Sequence, residues 1–218
     1  SPSRAGSIEW ARHSGEPGTG VGHLRRAIGM LDDARDQVAI GGLYAEMSES
    51  LWINGLGDEA LVAAEEAVSR LTGHRTREAA EAYGFHARLL MLLGRFDEAI
   101  VPGRIGVELA QEVDAQLELS RAENALGTSL CALGETEEGI PRLHQAIEIG
   151  KRAHLGADAV RGYINLVSSL KTPIDDLAEA EAWARKGLAF AKEHGAAGSM
   201  VDWLKMEYAD VLIRLGRL

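Results

Sequence analysis

The sequence is poor in aromatic residues and in cysteine, and both shortages exclude classes of structure. Aromatic residues make up 5% of the 218 positions, while Ala, Leu, Gly and Glu dominate. β-Branched residues are sparse too, so the composition favours close-packed helices over sheets, because Ala, Leu and Glu are good helix formers. The single cysteine, Cys131, excludes an internal disulfide and a cysteine-based zinc site, and it fits a reducing cytoplasm.

Long hydrophobic runs and clustered positive charge are also missing. No run approaches the roughly 18 apolar residues of a membrane span, so no membrane partner is expected. The segment Ser1–Ser7 has no initiator Met and no apolar stretch behind its one Arg, so we expect that it is not a signal peptide. The net charge is −10 and the Lys and Arg residues are dispersed. We therefore expect a cytoplasmic chain that does not bind nucleic acid directly, since phosphate binding needs clustered Lys and Arg.

A short phrase, Gly-x-x-acid-Glu-small-apolar, recurs along the chain at nearly constant spacing. Its first position falls at 55, 94, 134, 175 and 216, at intervals of 39, 40, 41 and 41 residues. The Gly is expected to end one helix, because glycine tolerates a positive φ. The acid-Glu pair is expected to begin the next helix, where carboxylates interact favourably with the N-terminus.

Two columns of small residues accompany this phrase. The first lies seven residues before it and comprises Ser48, Ala87, Gly127, Ser168 and Ala209. The second lies twelve residues after the phrase and comprises Ala67, Gly106, Ala146 and Gly187. Ala27, one repeat before Ala67, belongs to the same column. Because two helices can cross closely only where no side chain holds the backbones apart, we interpret both columns as helix crossings.

Each unit between these marks has the pattern of two amphipathic helices. The spacing predicts first helices over 38–54, 77–93, 116–133, 157–171 and 199–215, and second helices over 21–34, 58–71, 97–112, 137–153 and 176–193. The predicted organisation is a flexible entry segment over 1–20 and a single solenoid of about five hairpins over 21–218. A second helix without a partner opens this region, and Leu218 falls where another second helix is due, so we expect a fragment of a longer protein.

These columns resemble the tetratricopeptide repeat, although the usual period of that family is 34 residues. The aromatic residue early in the first helix is present as Tyr44 and Tyr83, whereas Glu123 stands there in the third unit. The phrases Leu126–Gly134 and Ala182–Ala191 more narrowly resemble the long-period repeats of large LuxR-type ATP-binding transcriptional regulators. The resemblance implies an all-α, right-handed α-solenoid, with a nucleotide-binding switch domain before it and a helix-turn-helix domain after it in the parent protein.

Motifs for catalysis and cofactor binding are not found, so we expect no enzyme activity, cofactor or metal. The stretch Gly15–Gly22 looks like a phosphate-binding loop, but Val21 and Gly22 occupy the places of its Lys and Ser or Thr, and we interpret it as a flexible entry loop. The seven His are scattered without His or Cys partners at helical spacing. Cys131 is interpreted as a small thiol in the core or groove rather than a nucleophile.

A concave groove lined by the first helices is the predicted binding surface. In the tetratricopeptide pattern, groove positions lie six and three residues before the turn, and Asn124 and Asn165 lie four further back, 41 residues apart. The Asn amides offer donors and acceptors that suit a peptide backbone or a polar small ligand, Arg88 would bind a carboxylate or phosphate, and Trp52 and Met91 would add apolar contact. The candidate groove residues are Glu49, Trp52, Arg88, Met91, Asn124, Thr128, Asn165 and Ser169.

Three functions remain open from sequence alone. The first is a non-catalytic sensor module of a larger signalling or transcriptional regulator, which recognises a protein, a peptide or a small effector in the groove. The second is a passive adaptor or oligomerisation scaffold, which is compatible with a homo-oligomer. The third and most remote is an enzyme. The groove residues could also be merely solvated, because fold alone does not define a function.

Overall fold

The computed structural model describes residues 20–217, and the regular structure in this range is helical throughout. None of the helices in residues 20–217 is both long and apolar enough to cross a membrane. The ten helices described are α1 (Gly20–Gly29), α2 (Gln37–Ile53), α3 (Gly57–Leu71), α4 (Arg77–Leu92), α5 (Phe96–Glu112), α6 (Gln116–Ala132), α7 (Thr136–Arg152), α8 (Gly156–Lys171), α9 (Leu177–Glu193) and α10 (Ser199–Arg214).

Nine of these helices begin and end within one residue of the predicted positions, and α1 is the exception. The predicted helix over 21–34 was wrong at its end, because α1 stops at Gly29. Beyond it, the Asp32 carboxylate accepts a hydrogen bond from the backbone N–H of Ala34 at 2.9 Å, and the Asp36 carboxylate accepts one from Asp32 at 2.8 Å. Aspartate side chains that bind nearby backbone groups in this way compete with helix formation.

The predicted entry loop was wrong at Gly20, Val21 and Gly22, because these residues belong to α1. Most of that loop and of the predicted flexible segment over 1–20 lies outside the described residues. Trp10 and His13 lie outside them as well.

The turn after each first helix contains a residue with a positive φ, as the glycine column predicts. This conformation favours glycine, which has no Cβ to clash with the backbone. Asp175 takes the same conformation in the fourth unit, where the sequence departs from glycine. A second set of positive-φ residues, which the sequence did not reveal, follows the second helices. The first set is Gly55, Gly94, Gly134, Asp175 and Gly216, and the second is Gly73, Asp114, His154 and Gly195.

The chain divides into two compact units, one ending at His74 and the other beginning at Arg75. In the first unit, α2 packs against both α1 and α3. The buried hydroxyl of Ser48, in the column of small residues, donates a hydrogen bond of 2.6 Å to the carbonyl oxygen of Ala60 across α2 and α3. The single solenoid domain over 21–218 stays a prediction.

The second unit consists of the hairpins α4–α5, α6–α7 and α8–α9, followed by α10. The first helices α4, α6, α8 and α10 pack side by side in this order, and each second helix packs against the first helices on either side of it. This arrangement confirms the predicted fold class, an all-α solenoid of tetratricopeptide-like helical hairpins.

Small residues allow the close crossings inside these hairpins. A Cβ atom added to Gly127 on α6 would lie 2.9 Å from the carbonyl oxygen of Gly139 on α7. A Cβ atom on Gly106 of α5 would lie 2.9 Å from the backbone nitrogen of Gly84 on α4. Both distances are shorter than packed atoms allow, so these crossings need glycine, as the small columns predict.

A buried ion pair replaces the missing aromatic residue of the third unit. Glu123 on α6 is 1% exposed, and its carboxylate accepts a hydrogen bond of 2.9 Å from Nη1 of Arg142 on α7. Burial raises the pKa of Glu123, and the Arg142 guanidinium opposes this shift. Glu123, which departs from the repeat pattern, is therefore paired with Arg142 across the hairpin, because a buried charge needs a partner.

Candidate binding groove

A narrow cleft runs across the first helices of the second unit. It encloses about 50 Å³, so it can hold a single side chain but not a whole ligand. A ligand larger than one side chain must therefore lie along the surface, across the first helices of this unit. The cleft is lined by Arg88, Met91 and Leu92 on α4, Arg121, Asn124 and Ala125 on α6, Arg161, Ile164 and Asn165 on α8, and Met200 and Trp203 on α10.

The two asparagines predicted to stack on consecutive repeats are neighbours in this cleft. Asn165 on α8 donates a hydrogen bond from Nδ2 to Oδ1 of Asn124 on α6, at 3.3 Å. Asn124 is only 4% exposed, whereas Asn165 is half-buried. The bond fixes the two amides relative to one another and joins neighbouring repeats at the floor of the cleft.

Two arginines beside the asparagines share one carboxylate. Asp158 on α8 is nearly buried, and its Oδ1 accepts a hydrogen bond from Nε of Arg121 at 3.0 Å and from Nη1 of Arg161 at 2.9 Å. None of these three residues was among the predicted groove residues. The available signal was helical spacing, since Arg121 precedes Asn124 by three positions and Arg161 precedes Asn165 by four, which places them on the same helix faces.

One end of the cleft is apolar and exposed. Trp203 on α10 is 45% exposed, and its indole N–H donates a hydrogen bond of 3.1 Å to Glu207. Met200 lies one turn earlier on α10 and lines the same cleft. Exposed Trp side chains commonly anchor partners at interfaces. Trp203 is thus a cleft residue that was not among the predicted groove residues.

The remaining predicted groove residues are distributed differently. Arg88 and Met91 line the cleft, and the Arg88 guanidinium lies 5.6 Å from the ring centroid of Phe85. Thr128 is half-buried and donates its hydroxyl to the carbonyl oxygen of Asn124 at 2.8 Å, one turn earlier on α6. Ser169 is only 4% exposed, and neither it nor Thr128 lines the cleft.

Glu49 and Trp52 belong to α2 in the first unit, and both are half-buried. Their predicted role in binding stays a prediction.

A larger cavity of about 570 Å³ lies elsewhere in the second unit, beside the turns that join α7 to α8 and α9 to α10. Lys151, His154 and His194 contribute its basic side chains. The ring of His194 stacks on Phe190 with centroids 4.2 Å apart, and Lys151 is held by Glu148 at 2.7 Å. Its floor is apolar, with Val160 and Val201 among its lining residues. Its position distinguishes it from the cleft, although both contain Met200.

Groups that often take part in chemistry are otherwise separated or buried. Residues 20–217 contain no group of three or more His, Cys, Asp or Glu placed to hold a metal ion. Cys131 is fully buried, and burial raises the pKa of its thiol while Ser169 opposes the shift. Burial, together with Arg95, lowers the pKa of His86 to about 4. These two side chains lie on different hairpins, Cys131 on α6 and His86 on α4.

Comparison with known proteins places the chain among helical repeat folds. No protein-family model matches it, and no curated protein matches it in sequence. The solved structure of BtubC (BKLC) from P. vanneervenii is similar, with a TM-score of 0.66 and 18% identity over 98% of this chain and 84% of that one. A Podosopora anserina putative kinesin light chain with nearly identical TPR-like repeats has a TM-score of 0.65 and 14% identity over 84% of this chain and 89% of that one.

A third similar structure is a Rap protein complexed with competence and sporulation factor. Its TM-score is 0.68 at 14% identity, over 97% of this chain and 65% of that one. These structures show that the chain has a tetratricopeptide-like fold. At identities of 14–18% they show the fold alone.

Proposed function

We propose that this chain is a binding module whose second unit holds an extended peptide segment in the cleft of α4, α6, α8 and α10. The observation that carries the proposal is the hydrogen-bonded pair Asn124–Asn165. Each amide has an NH₂ donor and a carbonyl acceptor, as a peptide group has. A bonded amide pair across two helices therefore presents donors and acceptors at fixed positions to a passing backbone.

The dimensions of the cleft favour an extended ligand. Neighbouring packed helices lie about 8–10 Å apart, and an extended chain advances about 3.3 Å per residue. Crossing four first helices therefore requires roughly eight or nine residues of peptide. The apolar side chains of Met91, Met200 and Trp203 offer contact surfaces for its side chains at the two ends.

The wider role is proposed from sequence resemblance and from fold. The repeats resemble those of LuxR-type transcriptional regulators, and one protein of similar fold is a Rap protein solved with competence and sporulation factor. We therefore propose that the module is the sensing arm of a larger signalling or transcriptional regulator. A ligand that binds one arrangement of the helices more tightly than another would shift the population between them.

The alternative is a passive adaptor or an oligomerisation scaffold with the same groove. An adaptor of this kind has no second arrangement to be selected. Hydrogen exchange separates the two, since a sensing arm changes protection in helices away from the cleft when peptide binds, whereas a passive adaptor changes protection only at α4, α6, α8 and α10. Sedimentation of the free chain would reveal a scaffold that self-associates.

The binding proposal is tested by selecting displayed random dodecapeptides on the whole chain. Recovered peptides are synthesised and titrated against the parent chain, Asn165→Ala, the double variant Asn124→Ala/Asn165→Ala, and the matched control Asn54→Ala. Asn54 caps α2 in the first unit, where its Nδ2 donates to the carbonyl oxygen of Ser50. Thermal unfolding monitored by circular dichroism shows whether each variant keeps its fold.

We expect Asn165→Ala to weaken peptide binding about tenfold, because an unpaired buried polar partner costs about 1–3 kcal/mol. The double variant should weaken it further, and Asn54→Ala should leave it unchanged. Peptides that bind every folded variant equally, or a selection that enriches no peptide, would overturn the proposal. Phe190→Ala is titrated as well, and peptides that lose binding only in this variant would place the site in the 570 Å³ cavity instead.

A further inference from the structure

We infer that the cavity of about 570 Å³ in the second unit binds a small, uncharged aromatic molecule that carries a hydrogen-bond donor. This site is separate from the proposed peptide cleft, and the inference does not depend on that proposal. The cavity lies between the start of α8, the end of α9 and the start of α10. Its volume falls within the range of about 300–1,000 Å³ that is usual for small-molecule sites.

The turn before α10 is long and lacks large side chains. It comprises the five residues 194–198, whereas the corresponding turn between α7 and α8 comprises only 153–155. Gly195 and Gly198 adopt φ values of 64° and 94° in this turn, and the two residues between them are Ala. A Cβ atom added to Gly198, or to Gly156 at the start of α8, would have no neighbouring atom within 4 Å. The space beside this turn is therefore open to a ligand.

The walls of the cavity are mostly apolar. Val160 on α8 is fully buried and Phe190 on α9 is 7% exposed. Met200 and Val201, at the start of α10, are half-buried. All four side chains line the cavity. A ligand that covers them removes apolar surface from water, so the body of the ligand should be apolar.

The aromatic rings at this cavity favour a planar ligand. The ring of Phe190 stacks on that of His194 with centroids 4.2 Å apart, and it lies tilted against Tyr163 at 5.9 Å. His194 lines the cavity and is exposed. An aromatic molecule can extend this row by stacking against the His194 ring, and the thioether of Met200 can contact the edge of its ring. An aliphatic ligand would lack both contacts.

His194 also provides a polar contact of defined character. Its Nδ1 lies 3.0 Å from the backbone carbonyl oxygen of Phe190. Because a carbonyl oxygen can only accept, Nδ1 carries the proton in this bond. In the neutral ring Nε2 is then an acceptor. An N–H or O–H group on the ligand can donate to it.

The charge of the lining favours an uncharged ligand. With His neutral, Lys151 is the only charged residue among the described residues that line the cavity. Its Nζ is paired with a carboxylate oxygen of Glu148 at 2.7 Å. This charge is therefore already balanced. An ion would lose its hydration on entering an apolar cavity without gaining an opposite charge.

The test titrates indole into the whole chain, labelled for heteronuclear NMR. Indole is planar, uncharged and carries one N–H donor. Three comparison probes each change one property: N-methylindole lacks the donor, an indole carboxylate adds a negative charge, and cyclohexanol keeps a donor without an aromatic ring. Shifts of the backbone amide signals show where each probe binds, and the spectrum of each variant shows whether its fold is kept.

We expect indole to shift the amide signals of Val160, His194 and Val201 in a saturable way, with a Kd on the order of millimolar, as suits so small a molecule. N-methylindole and cyclohexanol should bind about fivefold more weakly, because each loses one hydrogen bond or one stacking contact. The indole carboxylate should also bind more weakly than indole.

Three variants locate the site. His194→Phe keeps an aromatic ring and removes Nε2, so indole and N-methylindole should bind it equally well. Ala197→Trp places a large side chain at an exposed residue of the lining and should weaken indole binding about tenfold through steric overlap. Ala182→Trp is the matched control, since Ala182 is exposed on α9 and is not among the lining residues, and it should leave binding unchanged.

Four results would overturn the inference. Indole may shift no amide of the cavity, or it may shift only those around Asn124 and Asn165, which belong to the peptide cleft. It may bind the folded Ala197→Trp variant as tightly as the parent. Cyclohexanol that binds as tightly as indole contradicts an aromatic ligand, and an indole carboxylate that binds more tightly contradicts an uncharged one. The dodecapeptide selection is unaffected by all of these results, so the peptide proposal stands or fails separately.

Discussion

Gly127 and Gly139 cross so closely that neither can carry a side chain without moving the other. A Cβ atom on Gly127 would lie 2.9 Å from the Gly139 carbonyl oxygen, and a Cβ atom on Gly139 would lie 2.8 Å from the Gly127 carbonyl oxygen. The contact is mutual and involves backbone on both sides, so a change of rotamer cannot relieve it. The helices α6 and α7 can therefore pack this closely because neither Gly127 nor Gly139 has a side chain.

The first prediction compares two glycine-to-alanine changes. Gly127→Ala should destabilise the protein by about 1–3 kcal/mol, because overpacking outweighs the gain in helix propensity. Gly156→Ala, at the first residue of α8 with no atom within 4 Å of its added Cβ, should be neutral or slightly stabilising. Urea unfolding at neutral pH measures both changes, and equal midpoints would mean that the crossing is not closely packed.

The second prediction concerns the pH dependence of stability. Burial lowers the pKa of His86 from 6.5 to about 4 in the folded state. Between these values the unfolded chain binds a proton at His86 and the folded chain does not, so stability is lost as the pH falls through this window. Between pH 7 and pH 4.5, this effect should lower the free energy of unfolding by on the order of 2 kcal/mol. The variant His86→Leu should not show this decrease. Between pH 7 and pH 4.5, the urea midpoint of the parent should therefore fall further than the midpoint of the variant. Parallel curves would contradict this.

The third prediction uses the positive-φ residues that follow the second helices. Gly195 and His154 occupy corresponding turns with φ of 64° and 57°. Gly195→Ala should destabilise the protein by about 1 kcal/mol, because a Cβ is strained in this conformation. His154→Gly should have the opposite sign, stabilising by about 0.5 kcal/mol after its entropy cost. Differential scanning calorimetry compares the melting temperatures, and shifts of the same sign would rule out backbone strain as the cause.

The fourth prediction concerns nucleic acid. With a net charge of −10, the chain should show no salt-sensitive binding to random-sequence duplex DNA at physiological ionic strength. Fluorescence anisotropy with a labelled duplex at several salt concentrations measures this directly. A micromolar dissociation constant that weakens steeply with added salt would disprove it.

The fold could be predicted from the sequence because the same turn between helices recurs in several repeats. Gly55, Gly94 and Gly134 mark turns that need a positive φ, and their spacing gave the helices to within one residue. The C-terminal end of α1 could not be predicted in this way, because the Asp32 and Asp36 carboxylates beyond it accept hydrogen bonds from the backbone N–H groups of Ala34 and Asp32. Helical periodicity carries no information about such local competition.

The cleft was predictable in position but not in charge. Counting back from the turns placed Arg88, Asn124 and Asn165 among its lining residues. Helical spacing could have placed Arg121 and Arg161 on the faces of Asn124 and Asn165, but it could not show that Arg121 bonds to Asp158, which is a tertiary contact between α6 and α8. Ser169 occupies a predicted groove position, yet it is only 4% exposed. Spacing identifies a helix face and does not give the depth of each side chain.

The hydrogen bond from Asn165 to Asn124 gives the cleft a direction. The NH₂ group of Asn165 points from α8 toward α6 and donates to the carbonyl oxygen of Asn124. The carbonyl oxygen of Asn165 and the NH₂ group of Asn124 take no part in this bond. The pair therefore uses one donor of Asn165 and one acceptor of Asn124, and it is not symmetric along the row of first helices. A peptide backbone also has a polarity, and only one of its two orientations matches both groups. For the peptide proposed above, the same sequence presented in reverse order would therefore be a different ligand.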